Sequence, residues 1–150
     1  MIHGWSCPDC GADDPELHYS SGKMKRCKDC QRFYNISVNA KQKRKRLRTP
    51  EIRIGKPEFL AWLRGTKRIC AYCGITEPDL ERVGLRTQID LPIQALGVDR
   101  LDANRDYEPG NIQLCCFACN KARGNVFSSE EMYVLGQAIA EIWKIRLAKA

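Results

Sequence analysis

The chain has 150 residues, 43% hydrophobic and 29% charged, with 25 Lys and Arg against 18 Asp and Glu and a formal net charge of +7. This balance excludes fibrous and wholly disordered classes and leaves room for one ordinary domain or two small ones. No stretch approaches the ~20 apolar residues of a membrane span, and the opening "MIHGWSCPDC" lacks the basic and apolar regions of a secretory signal, so a soluble intracellular protein is expected.

The charge is unevenly placed. Residues 1–69 carry 16 Lys and Arg against 7 Asp and Glu, whereas residues 70–150 carry 9 against 11. An acidic polymer such as DNA would feel the first half, through faster association and counterion release. Of the nine cysteines, eight fall into four Cys-x-x-Cys pairs, and in a reducing compartment that pattern favours two zinc sites over disulfides.

In chain order, the first module is "CPDCGADDPELHYSSGKMKRCKDC". Cys7, Cys10, Cys27 and Cys30 form two close pairs across a short loop, the spacing of a structural zinc ribbon. So small a module cannot bury a core of its own, and the metal supplies its folding energy. His3 and His18 lie in or beside it, but the cysteine set is complete without them.

The next stretch crowds Lys41, Lys43, Arg44, Lys45, Arg46 and Arg48 into eight residues. It reads as a DNA-contacting arm or as a solvated linker, and its place between two metal modules favours the arm, with Lys43, Arg44, Arg46 and Arg48 as contacts. "KPEFLAWLRG" follows as a short helix, with Pro57 in its first turn, Phe59, Leu60 and Leu63 on one face and Gly65 as its stop. Trp62 faces the core or DNA, and the core is the default.

"CAYCGI" opens the second metal module. After an irregular stretch without sustained period, a strand ends at "GVDRL", a turn-rich loop "DANRDYEPG" leads to a strand "NIQL", and a short helix begins near "CFACNKAR". The order is strand, loop, strand, helix. Cys70, Cys73, Cys116 and Cys119 make a second four-cysteine site, which leaves Cys115 as a buried free thiol. A final helix starts at "SSEEM", with Ser128 and Glu131 spaced as a capping box. Its Met132, Leu135, Ile139, Ile142 and Trp143 recur at helical spacing and should cover the core or a partner subunit, the core being preferred.

"CAYCG", "VDR", Asn111 and "CFACN" together resemble the HNH, or ββα-metal, nuclease pattern over roughly residues 55–145. With the N-terminal ribbon, "FLAW", "LGVDR", "ACNKARGN" and the terminal helix added, the chain resembles rare-cutting type II restriction endonucleases of the PacI kind over nearly its whole length. The fold expected is small α+β and zinc-stabilised: a ribbon at 1–40, a basic arm at 41–56, and an HNH core at 57–150 with a C-terminal helix.

The resemblance implies a homodimer that hydrolyses double-stranded DNA at a short palindrome, leaving 5′-phosphate and 3′-hydroxyl ends, in the bacterial cytoplasm. It places Asp99 and Asn111 as oxygen ligands of one catalytic divalent ion, Mg²⁺ being expected, beside two structural Zn²⁺. Asn120 stands where many HNH enzymes have their last histidine, and its role as a ligand stays open. Arg100 occupies the usual position of the histidine base. A guanidinium cannot take a proton from water, though it can hold a phosphate oxygen.

Family resemblance therefore points to Tyr72 as the base, with Tyr107, Asp102 and metal-bound hydroxide as alternatives. Two other functions share these motifs. One is a homing or branched-DNA HNH endonuclease; the other is a catalytically inactive, zinc-dependent DNA-binding protein, with Arg100 as the mark of lost chemistry.

Overall fold

The computed structural model describes residues 4–20, 24–42 and 50–150. The chain divides after Thr66 into two compact units. Lys43, Arg44, Arg46 and Arg48, the expected DNA contacts, lie outside the described residues, as does His3.

In the first unit, Cys7 and Cys10 sit on a tight knuckle. The Cys7 N–H donates to Ala12 O and the Gly11 N–H donates back to Cys7 O, both at 2.8 Å. Closing so short a loop turns Gly11 to φ +75°, where a side chain would strain the backbone. The other two thiols come from a helix: Cys27 precedes α1 (Lys28–Gln42) and Cys30 lies in its first turn. No strand occurs among the described residues of this unit, so the expected ribbon is a knuckle joined to a helix.

The sequence does not announce α1, because Asn35, Ser37, Val38 and Asn39 are weak helix formers. Tertiary packing supplies what propensity lacks: Asp29 and Arg32 pair at 2.6 Å while buried, Ile36 is buried, and the Phe33 and Phe59 rings meet at 5.4 Å. The helix runs through residue 42, into the stretch read from sequence as the start of the arm. Phe59 and Leu63, both fully buried, belong to α2 (Lys56–Gly65). This helix packs on α1, whereas the sequence reading grouped it with the nuclease core. Trp62 lies half-buried against Phe59, as the default reading has it.

The second unit opens with the same knuckle. The Cys70 N–H donates to Ile75 O and the Gly74 N–H to Cys70 O, both at 2.9 Å, with Gly74 at φ +72°. A six-residue helix, α3 (Glu77–Arg82), breaks the stretch read as irregular. Its start was legible in "TEPD": Thr76 accepts from the Asp79 N–H, Pro78 fits the first turn, and two acids complement the dipole.

Strands β1 (Gly97–Arg100) and β2 (Ile112–Cys115) pair antiparallel, with Asp99 opposite Gln113 and Val98 opposite Leu114. Cys116 caps α4 (Phe117–Arg123). The long α5 (Ser129–Lys149) begins with the full capping box of Ser128 and Glu131. Along α5, Met132 and Trp143 are buried as expected, but Ile142 is 47% exposed. A single straight helix turns only part of its circumference to the core, and residue 142 falls off that part. Among the described residues, no helix is long and apolar enough to cross a membrane.

One contact of α5 bears on the site. A methyl built on Gly136 would lie 2.6 Å from the Tyr72 carbonyl carbon and 2.9 Å from Tyr72 Cβ. Helix propensity alone would favour alanine there by about 1 kcal/mol. The clash is with backbone, which cannot swing aside, so we expect Gly136→Ala to cost a net ~1–3 kcal/mol through overpacking. Thermal unfolding checks this: an unchanged or raised Tm would mean that the knuckle yields more easily than the packing implies.

Candidate active site

Both four-cysteine sets converge. The sulfurs of Cys7, Cys10, Cys27 and Cys30, and those of Cys70, Cys73, Cys116 and Cys119, lie within 4.8 Å of one another in each cluster. Cys10 Sγ is 3.7 Å from Cys27 Sγ, and Cys73 Sγ is 3.7 Å from Cys116 Sγ. A tetrahedron of Zn–S bonds of ~2.3 Å has edges of about 3.8 Å, so both sets fit Zn²⁺. Cys115 stays outside the second set, buried, with its thiol directed at Cys116 O. His18 packs at a tilt against Trp5, ring centroids 4.3 Å apart, and takes no part in the first set.

The second four-cysteine cluster also assembles a polar site. Cys70 and Cys73 bracket Tyr72, and the Ala71 N–H donates to Leu114 O at 2.9 Å, stitching the knuckle to β2. Cross-strand partners point to one face of a hairpin, so Asp99 and Gln113 meet there. Tyr72 joins them: its hydroxyl donates to Asp99 Oδ2 at 2.9 Å and accepts from Gln113 Nε2 at 2.6 Å.

Arg123, at the end of α4, completes the group. Its Nη1 lies 2.6 Å from Asp99 Oδ2, 2.9 Å from Tyr72 Oη and 2.7 Å from Arg100 O. Nη2 donates to Leu101 O at 2.8 Å and Nε to Phe127 O at 3.1 Å. With one donor and two lone pairs, the Tyr72 hydroxyl is fully engaged. Burial, and then the charge of Asp99, holds its pKa above the ordinary phenol value, while the Arg123 cation pulls the other way.

Asn111 requires a correction. It is fully buried, its Oδ1 accepts from the Asp102 N–H at 2.9 Å, and its Nδ2 donates to Asp102 O and Asp106 O. The side chain is committed to holding the loop between the strands, and its burial leaves no open face for an ion. In this structure it organises the loop.

Arg100 is also drawn into that loop. Its Nη1 donates to Ala103 O at 2.7 Å and Arg105 O at 2.8 Å, and its guanidinium lies 5.3 Å from the Tyr107 ring centroid. The arginine thus braces the loop where a phosphate contact was expected. Tyr107 is buried, which raises its pKa, and Asp102 Oδ1 caps a turn by accepting from the Asn104 N–H. Asn120 is exposed on α4 one turn before Arg123, beside a cavity of about 560 Å³ shared with Thr87, Gln88, Ile89, Phe117 and Lys121.

Of the residues expected at the centre, the structure brings together Tyr72 and Asp99. It adds Gln113 and Arg123, which the sequence reading missed. Gln113 had a signal: in "NIQL" it is the polar residue between Ile112 and Leu114, so period two puts it on the face opposite them. Arg123 had only a misleading one, because a basic residue in the last turn of a helix ordinarily reads as a dipole partner.

No protein-family model and no curated protein matches the chain. A solved structure of the rare-cutting HNH restriction endonuclease PacI does match, at 38% sequence identity and a TM-score of 0.83, over 94% of this chain and 96% of that one. Two four-cysteine sites, a ββα unit, 38% identity and near-complete coverage place the chain in the HNH restriction endonuclease family to which PacI belongs.

Proposed function

We propose that the protein is a type II restriction endonuclease that hydrolyses duplex DNA at a short palindrome as a homodimer, leaving 5′-phosphate and 3′-hydroxyl ends. The observation that carries this reading is the hydrogen bond from Tyr72 to Asp99 Oδ2 on the ββα unit. It sets a proton-transfer group beside a carboxylate suited to an ion.

Asp99 keeps 13% of its side chain exposed, and a Mg²⁺ site needs no more than one or two carboxylates when water and phosphate oxygens complete it. Asn120, exposed on α4, would be the second oxygen donor that the family resemblance suggests. A divalent ion held there would supply charge neutralisation at the scissile phosphate. Tyr72, as phenolate, would accept the proton of the attacking water. Gln113 and Arg123 already donate to its oxygen and support that charged form against the burial and the Asp99 charge that raise its pKa, and a cation on Asp99 would offset the latter. Lys43, Arg44, Arg46 and Arg48 would grip phosphates, a contribution that weakens as salt rises.

Incubating the purified protein with phage DNA of known sequence, with Mg²⁺ or with EDTA and over a salt series, tests the reading. Discrete Mg²⁺-dependent fragments with 5′-phosphate ends at one repeated palindrome are expected. Cleavage confined to DNA junctions would replace it with a branched-DNA nuclease, and intact but retained DNA would replace it with a DNA-binding protein.

A further inference from the structure

We propose that Arg123 is a positioning residue for the cleavage reaction, acting through Tyr72 and Asp99; the inference rests on the nuclease reading above. Its side chain is only 6% exposed, so it is not placed to hold DNA itself. It reaches five acceptors: the Tyr72 hydroxyl, one oxygen of Asp99, and the backbone carbonyls of Arg100, Leu101 and Phe127. Three of these belong to the end of β1 and the residue beyond it. The same side chain therefore sets where Asp99 sits and where the tyrosine oxygen points.

The support behind Arg123 is stiff. α4 has seven residues, and its cap Cys116 and its Cys119 are ligands of the second four-cysteine site. A zinc ion held by this set would fix the helix; the helix aims the guanidinium, and the guanidinium aims the tyrosine and the carboxylate. Tyr72 is fixed to the same cluster from its other side, between Cys70 and Cys73. Reaction centres held this way lose roughly 100-fold in rate for a misplacement of about 1 Å.

A buried ion pair that merely stabilises the fold would need only a positive charge opposite Asp99. Arg123 is different because its planar fork serves the phenol, the carboxylate and two strand-end carbonyls at once. A lysine ammonium on a flexible stem can satisfy the carboxylate but cannot reproduce that fork.

The test compares the full-length wild type with Arg123→Gln, Arg123→Lys, Tyr72→Phe and the double variant Tyr72→Phe/Arg123→Gln. Single-turnover cleavage at saturating Mg²⁺ is measured beside zinc content and DNA retention. Arg123→Gln should keep both zinc ions and its DNA affinity while cleaving roughly 100-fold more slowly. Arg123→Lys should fall between Gln and wild type, about tenfold below wild type, because charge is restored without the fork. The double variant should be slower than Tyr72→Phe by clearly less than the factor that separates Arg123→Gln from wild type, since Arg123 then positions Asp99 alone.

Cleavage by Arg123→Gln at the wild-type rate would overturn the proposal, and so would independent, multiplicative losses in the double variant. If the Gln variant does not fold, the Lys variant decides: wild-type cleavage by it means that charge suffices and positioning does not matter. A wild-type protein that leaves DNA intact in the same assay overturns the nuclease reading and this role together. A cutting wild type with an unimpaired Arg123→Gln overturns the role alone.

Discussion

Asp99→Asn is expected to abolish cleavage while zinc content and DNA retention stay near wild type. An amide binds a divalent ion far more weakly than a carboxylate does, and the ion is asked for several kcal/mol of transition-state charge stabilisation. At ~1.4 kcal/mol per tenfold, the loss should reach at least about 10³-fold. Asparagine is the informative replacement because of Arg123. Asp99→Ala would leave that buried cation without its carboxylate, and removing one member of a buried pair costs about 3–5 kcal/mol. Asparagine leaves an oxygen for Arg123 and Tyr72 to bond. Residual cleavage by Asp99→Asn above a tenth of the wild-type rate would remove Asp99 from the metal site. Cleavage lost together with zinc would point instead to collapse of the unit.

Cys116→Ala is expected to unfold the second unit. Cys116 is fully buried, contributes a sulfur to the four-cysteine set, and caps α4 by accepting from the Cys119 N–H. The strands it anchors are only four residues each, and a two-stranded hairpin of that kind is marginal by itself. Structural zinc sites contribute apparent free energies of roughly 10–16 kcal/mol, comparable to the whole stability of a small domain. Loss of one sulfur should therefore release one zinc per chain and abolish the cooperative unfolding transition of this unit, as read by metal analysis and circular dichroism. Cys115→Ala is the control, because its thiol lies outside the set; it should keep both zinc ions. A folded, fully metallated Cys116→Ala would mean that Cys115 can replace its neighbour.

Much of the site was legible because its signals are local. Cys-x-x-Cys-Gly occurs at Cys7 and at Cys70, and in each case the backbone closes the same hydrogen-bonded knuckle with glycine at positive φ. Ser128 and Glu131 announced α5 by mutual capping within four residues. Tyr72 and Asp99 stood in motifs whose combination resembles one family, and the hydrogen bond between them is consistent with that pairing.

What failed depended on how the chain folds back on itself, which residue type does not show. α1 forms over weak helix formers because Phe33 finds Phe59 and because Asp29 and Arg32 pair where they are buried. Asn111 carries an oxygen suited to a metal, yet its three hydrogen bonds go to the backbone of Asp102 and Asp106. Arg100 was free to hold a phosphate until the loop folded back and offered the carbonyls of Ala103 and Arg105.

The sequence by itself determined the number and spacing of the zinc ligands, the strand–loop–strand–helix order and the position of the carboxylate, since each follows from residue type within a few positions. Tertiary structure decided which polar groups share a proton network. Hydrogen bonds act over about 3 Å, whereas Tyr72, Asp99, Gln113 and Arg123 are spread over 51 residues of chain and meet only when both cysteine pairs close on one site.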